Sequence, residues 1–272
     1  SLDVSGWDTS AATSMAGTFH GCSSLKSLDV SGWDASGVSA FATGETYGLV
    51  PSGGKDKAWV PAGTFSCCSS LESLDLSGWG VSSAADLSAM FAGCKSLRSL
   101  DLSGWDVSGA KSMADMLCDC GSLSSLGLSG WRASSSTPLS AMFGSDAYPS
   151  WAGPKVSSLD LSGCTAADAR LVLAGLRSGG SPGALRSLSL GGVDASGAAD
   201  LSETFKGLSG LTSLDVSGWD VSSATSLASM FEGCSSLESL DLSGWDVSSA
   251  KSLSSMFRGC SSLESLDVSG WD

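Results

Sequence analysis

The sequence predicts an α/β protein: a curved stack of about ten strand–turn–short-helix coils, with a parallel sheet on the concave side. Three observations predict it. The triplet "SGW" places tryptophans at 7, 33, 79, 105, 131, 219, 245 and 271, most of them 26 residues from the next. A period of that length belongs to proteins that stack one supersecondary unit on the next. Within each unit the apolar spacing then changes from two residues to three or four.

The unit Leu71–Cys94, "LESLDLSGWGVSSAADLSAMFAGC", shows the change. Leu74 and Leu76 alternate with Ser73, Asp75 and Ser77, the period of a short strand with one buried face. Gly78 turns the chain. Ala84, Leu87, Met90, Phe91 and Cys94 then follow helical spacing, with Ser83 and Asp86 as a capping box and Gly93 as the stop. Such a helix has two to three turns and depends on stacking. Strands pack about 4.8 Å apart and helices roughly 8–10 Å, so the stack is expected to curve with its strands inside. Two degenerate copies, ending at Cys164 and Val193, complete ten strand signals.

One domain spanning 1–272 is expected, with insertions at about 42–62 and 144–155 and an atypical coil at 164–192. That coil holds "AADARLVLAGLR", Ala166–Arg177, a longer amphipathic helix followed by the break "SGGSPG". The chain starts and stops inside a repeat, as a fragment of a longer protein would.

Fourteen basic and 28 acidic residues give a net charge of −14. Nucleic acid and anionic lipid need a positive field, so both are excluded as partners. No apolar run approaches the length of a membrane span, so no direct membrane insertion is expected, and the chain opens on no signal peptide.

The spacing L-x-x-L-x-L is that of leucine-rich repeats. The longer pattern "LxxLDLSGWDVSSAxxMxxMFxGC" resembles the BspA-like leucine-rich repeats of bacterial and protist surface proteins, over almost the whole chain. This chain departs in using Trp where Phe is common there, and in lacking Asn. The resemblance implies a leucine-rich-repeat solenoid, no enzymatic activity, and a place on a bacterial cell surface, with host or bacterial surface proteins or glycans as partners.

Four groups of residues invite a functional reading. Trp7, Trp33, Trp79, Trp105, Trp131, Trp219, Trp245 and Trp271 form a row. Aromatic rows stack sugars or bases, but replacement by Cys164 and Val193 marks the position as buried and structural. Asp3, Asp29, Asp75, Asp101, Asp160, Asp215, Asp241 and Asp267 form a second row, which strand alternation points onto the open concave face. Carboxylates about 5 Å apart repel, so serine hydroxyls, solvent or a bound cation must compensate. Calcium fits such oxygens, although no calcium loop is present and no other cofactor is implied. A third row, Asp8, Asp34, Asp106, Asp220 and Asp246, reads as caps of turn amides.

Six cysteines share one repeat position: Cys22, Cys68, Cys94, Cys120, Cys234 and Cys260. Leu208 stands in once, so the position reads as a buried free thiol. Cys67 and Cys118 lie beside the row and are the candidates for pairing or reactivity; no zinc spacing is present. The two insertions hold both tyrosines and the two tryptophans outside the row. Tyr47, Lys55, Lys57, Trp59, Tyr148 and Trp151 are the candidate ligand-binding residues, the bland alternative being that these aromatics pack the loops down. The lone His20 has no partner pattern and reads as ordinary surface.

The leading expectation is a non-enzymatic extracellular adhesion or binding module of a bacterial cell-surface protein. Its rivals are a structural spacer displaying another domain and an acidic concave face that binds cations. Serines and aspartates are abundant, but no histidine is placed to activate one, and a carboxylate pair for glycoside hydrolysis needs two unlike environments.

Overall fold

A computed structural model describes residues 2–43, 62–134, 137, 139–144 and 153–271. Within them lie eight strands of three residues each: β1 (Ser27–Asp29), β2 (Ser73–Asp75), β3 (Ser99–Asp101), β4 (Ser125–Gly127), β5 (Ser158–Asp160), β6 (Ser187–Ser189), β7 (Ser239–Asp241) and β8 (Ser265–Asp267). They form three small parallel sheets, β1–β2, β3–β4–β5–β6 and β7–β8. Register follows the repeat, with serine beside serine and leucine beside leucine, as in Ser27↔Ser73 and Leu28↔Leu74. The central leucine of most strands is buried, Leu28, Leu100, Leu126, Leu159 and Leu240 among them, while the outer residues stay mostly in solvent. Beneath the sheets one apolar core runs from Val4 to Met256.

One α-helix is present among the described residues, α1 (Ala166–Gly179). Thr165 caps it, accepting from the Asp168 N–H, and its buried stripe includes Ala169, Val172, Leu173 and Leu176. The short helix expected in every coil is absent. The expected leucine-rich-repeat solenoid, a curved stack of about ten strand–turn–helix coils, is therefore corrected to three small parallel sheets joined mainly by turns, with a single helix.

The backbone explains the correction. An α-helix needs each N–H to find a carbonyl four residues back in its own segment. Here Leu87, Ala89, Phe91 and Gly93 donate instead to Ser112, Ala114, Met116 and Cys118 of the next repeat. Between them Met90, Ala92 and Cys94 donate to the residue three positions back, the bond of a tight turn. Two left-handed residues flank the phenylalanine, Ala89 (φ 51°) and Gly93 (φ 76°), and no α-helix runs through such residues. The same bonds recur at Leu201, Glu203, Phe205 and Gly207, and again at Leu227, Ser229, Phe231 and Gly233. Paired turns bring every third or fourth side chain inward, so Leu87, Met90, Phe91 and Cys94 are all buried without a helix. The phenylalanines then stack between repeats, with ring centroids 5.7 Å apart for Phe65 and Phe91 and 5.5 Å for Phe205 and Phe231.

Candidate functional site

The acidic rows are built from one local motif, Asp-x-Ser. The Oδ1 of Asp3, Asp29, Asp75, Asp101, Asp160, Asp215, Asp241 and Asp267 accepts from the backbone N–H of the serine two residues on, at 2.9–3.0 Å. In several the serine hydroxyl donates to the same oxygen, as Ser31 does to Asp29 at 2.7 Å. This is the Asx turn that ends each strand. It also answers the repulsion expected along the row. The Ser31 hydroxyl and N–H hold the Asp29 carboxyl below its ordinary value, and the Ser243 N–H and hydroxyl do so for Asp241. The neighbouring charge of Asp241 pushes Asp215 upward, yet the bonds from Ser217 outweigh it and its shift is downward. Asp8, Asp34, Asp106, Asp220 and Asp246 cap turns in the same way, through Ser10, Ser36, Ser108, Ser222 and Ser248.

Gly127 interrupts the row on β4. A Cβ there would lie 2.7 Å from Asp101 Oδ1, so an aspartate on β4 would require the Asp101 side chain to shift, as the adjacent pairs Asp29–Asp75 and Asp241–Asp267 accommodate each other.

The tryptophan row is largely interior. Trp33, Trp79, Trp105, Trp131, Trp219 and Trp245 are buried and Trp271 is half-buried, whereas Trp7, in the first described repeat, is 53% exposed and stacks on Trp33. Most of the buried indoles also tie repeats together. Trp33, Trp79, Trp131, Trp245 and Trp271 donate Nε1–H to the carbonyls of Val4, Val30, Leu102, Val216 and Leu242, the same position in the preceding repeat. Trp105 and Trp219 make no such bond among the described residues. Their counterpart carbonyls are those of Leu76 and Leu190; β2 does not pair with β3, nor β6 with the segment at 213–215, although Trp33 and Trp245 keep their bonds to Val4 and Val216 across segments that are likewise unpaired.

A groove lies at each of these two places. The larger, about 790 Å³, crosses the strand face from Leu2 to Trp105 and is lined by Asp3, Asp29, Asp75 and Asp101 and by Ser77 and Ser103. The smaller, about 480 Å³, lies between Leu190 and Trp219 and carries one carboxylate, Asp215. The larger groove is the candidate site. No residue lining it is basic. Among the described residues no group of three or more His, Cys, Asp or Glu side chains is arranged to hold a metal ion.

The remaining candidates are placed as follows. Tyr47, Lys55, Lys57, Trp59, Tyr148 and Trp151 lie outside the described residues. Cys68, Cys94, Cys120 and Cys234 are buried, Cys260 is half-buried and Cys22 is exposed; none forms a disulfide. Cys68, Cys94, Cys120, Cys234 and Cys260 donate weakly from Sγ to a phenylalanine carbonyl of the preceding repeat, at 3.1–3.2 Å. Cys67 and Cys118, the candidates for pairing, are free as well. Burial pushes their thiols up to about 11 and about 12, which opposes formation of the reactive thiolate.

His20 is half-buried rather than ordinary surface, with Nδ1 2.6 Å from Ser66 Oγ. Ser66 Oγ–H donates to the Gly63 carbonyl, so the histidine supplies the proton of the shared bond. A histidine that donates to a serine does not activate it as a base would.

Sequence reasoning placed the aspartates on the strand face and the tryptophans inside, and it missed the groove. The Asp-x-Ser pairing was visible, since serine stands two residues after every aspartate of the row.

The comparisons with known proteins overturn the family expected above. No curated protein matches the chain. The family that does match is not a leucine-rich-repeat family, so the BspA-like resemblance is withdrawn, and with it the adhesion-module reading that rested on that fold. The match covers residues 1–43, 62–152 and 185–272, and leaves aside 44–61 and the stretch 153–184 that holds α1. Most of the sequence lies within it, and the chain belongs to the family described as Mycoplasma protein of unknown function, DUF285.

Proposed function

We propose that this protein is a non-catalytic binding protein whose strand face recognises a positively charged ligand. The observation that carries the reading is the groove of about 790 Å³ across β1, β2 and β3, lined by four carboxylates and no basic side chain. A chain of net charge −14 adds a long-range field of the same sign, which steers cations toward it. The carboxylates sit in near-identical Asx turns, which argues against splitting them into an acid and a base. His20 is committed as a donor, which argues against an activated serine at Ser66.

Titration calorimetry with spermine, a linear tetra-amine, tests this. The protein is expected to bind it with an affinity that falls as salt rises. A variant with Asp29→Asn, Asp75→Asn and Asp101→Asn keeps an amide oxygen for each Asx turn and is expected to lose the binding. Equal binding by the variant, or none by the parent protein, contradicts the reading. A calcium titration in parallel asks whether the same row takes a small divalent cation instead.

A further inference from the structure

Carboxylates account for half of the groove. The other half is a set of donors unpaired among the described residues, although the N–H of the turn glycine is unpaired in the β1–β2 and β7–β8 sheets as well, at Gly32 and Gly244. In the intact ladder Leu102 N–H and Gly104 N–H donate to Gly127 and Ser129 of the next strand, and Trp131 Nε1–H donates back to Leu102. One repeat earlier the equivalent donors are Leu76 N–H, Gly78 N–H and Trp105 Nε1–H. None of the three has a hydrogen-bond partner among the described residues, and all three residues line the groove. Trp105 is only 3% exposed and its indole N–H has no protein partner among the described residues, while the residue lines the groove. A ligand carbonyl placed there would pair donors that the protein leaves without a partner of its own.

A metal ion or a simple polyamine offers nothing to those donors, because neither carries an acceptor. An anion would meet the carboxylates. The ligand must combine spaced cations with carbonyl oxygens on one chain. We propose that the seam between β2 and β3 is a binding site for an extended peptide rich in lysine or arginine. Its side chains pair with Asp29, Asp75 and Asp101, and a main-chain carbonyl accepts from Trp105. Carboxylates on neighbouring strands repeat at about 4.8 Å, while side chains on one face of an extended peptide repeat at about 6.6–6.8 Å. Flexible four-carbon lysine stems absorb that difference. The seam at Trp219 supplies an internal comparison, with the same unpaired indole but a single carboxylate.

This inference rests on the strand face recognising cations, and the experiment separates the two. Fluorescein-labelled hexalysine is titrated with the protein by anisotropy, beside spermine and beside a linear six-amine oligomer that has no carbonyls. Hexalysine is expected to bind about fivefold or more tightly than the carbonyl-free oligomer. Trp105→Phe is expected to weaken hexalysine about fivefold and leave spermine unchanged. Trp131→Phe, whose indole is already paired, should change neither. Asp75→Asn with Asp101→Asn should weaken both cations tenfold or more. Equal binding of hexalysine and the carbonyl-free oligomer overturns the peptide site without requiring any variant to fold. Hexalysine binding that ignores Trp105→Phe in a folded variant also overturns it. Spermine binding with no hexalysine binding sinks the peptide site alone; silence to both sinks the cation reading as well.

Discussion

Trp131→Phe and Trp105→Phe remove the same indole from the same position of adjacent repeats, and the structure predicts unequal losses. Both rings are buried, Trp131 at 2% and Trp105 at 3% exposure. Replacing indole by phenyl removes a few tens of Å² of buried apolar surface, worth about 1 kcal/mol, and the void left behind adds up to about another. That part is common to both. Trp131 Nε1 also donates to the Leu102 carbonyl at 2.6 Å, a bond that Trp105 does not make to Leu76. Losing it leaves the Leu102 carbonyl with only the longer bond from the Trp105 N–H at 3.3 Å, and the net loss of one such bond is about 0.5–1.5 kcal/mol. Trp131→Phe should therefore cost roughly 1.5–3.5 kcal/mol and Trp105→Phe roughly 1–2 kcal/mol. Urea unfolding followed by circular dichroism measures both, with the m-value checked because repeat arrays lose cooperativity. Equal losses at unchanged m would refute the claim that the β2–β3 seam leaves its indole unpaired.

Other consequences follow from the same geometry. Serine bonds depress the titration of Asp3, Asp29, Asp215 and Asp241. Their contribution is present above the ordinary carboxylate value of 3.8 and is lost as pH falls through the depressed folded values. The unfolding temperature should thus hold from pH 7 to about 5 and fall steeply below about 4; a flat profile to pH 3 would count against it. Ser255 is exposed and left-handed at φ 58°, so Ser255→Gly should stabilise by up to about 1 kcal/mol, read as a shift in urea midpoint. Cys22 is the exposed thiol, and burial raises the thiols of Cys68, Cys118 and Cys234 to about 12. An aromatic disulfide reagent at pH 8 should label Cys22 rapidly in the native protein and all nine cysteines only after unfolding.

How much of this was legible in the letters differs by element. The strands at Leu28, Leu100 and Leu240 were readable because one buried leucine between two exposed polar residues fits only a period of two. α1 was readable because its apolar stripe is long and Thr165 caps it. The remaining helices were misread because burial of Leu87, Met90, Phe91 and Cys94 at intervals of three and four suits a helix and two successive turns equally well. What separates them is where the N–H groups of Ala89 and Phe91 go, into the next repeat, and spacing within one unit carries no trace of that. The left-handed residues gave little warning either. Glycine marks the position two after the phenylalanine in Gly93, Gly207 and Gly233, but Ala89, Glu203 and Ser229 hold the position two before it, and Asp115 stands in the same place before Leu117.

The candidate groove was illegible for a related reason. Leu76–Trp79 and Leu102–Trp105 both read "LSGW", as does Leu128–Trp131 across the intact ladder. An interruption between two copies of one motif depends on how the repeats sit, and neither copy records it. The Asx turns, by contrast, were in plain view, because a serine stands two residues after each aspartate.

Carbodiimide labelling of carboxylates, read by mass spectrometry with and without N-acetylated, C-amidated hexa-arginine, whose guanidinium groups do not couple to the activated carboxylates, reports where the cationic peptide sits. The account predicts protection concentrated at Asp29, Asp75 and Asp101, with Asp220 and Asp246 labelled as before. Uniform protection of all the aspartates, or protection at none, would contradict it.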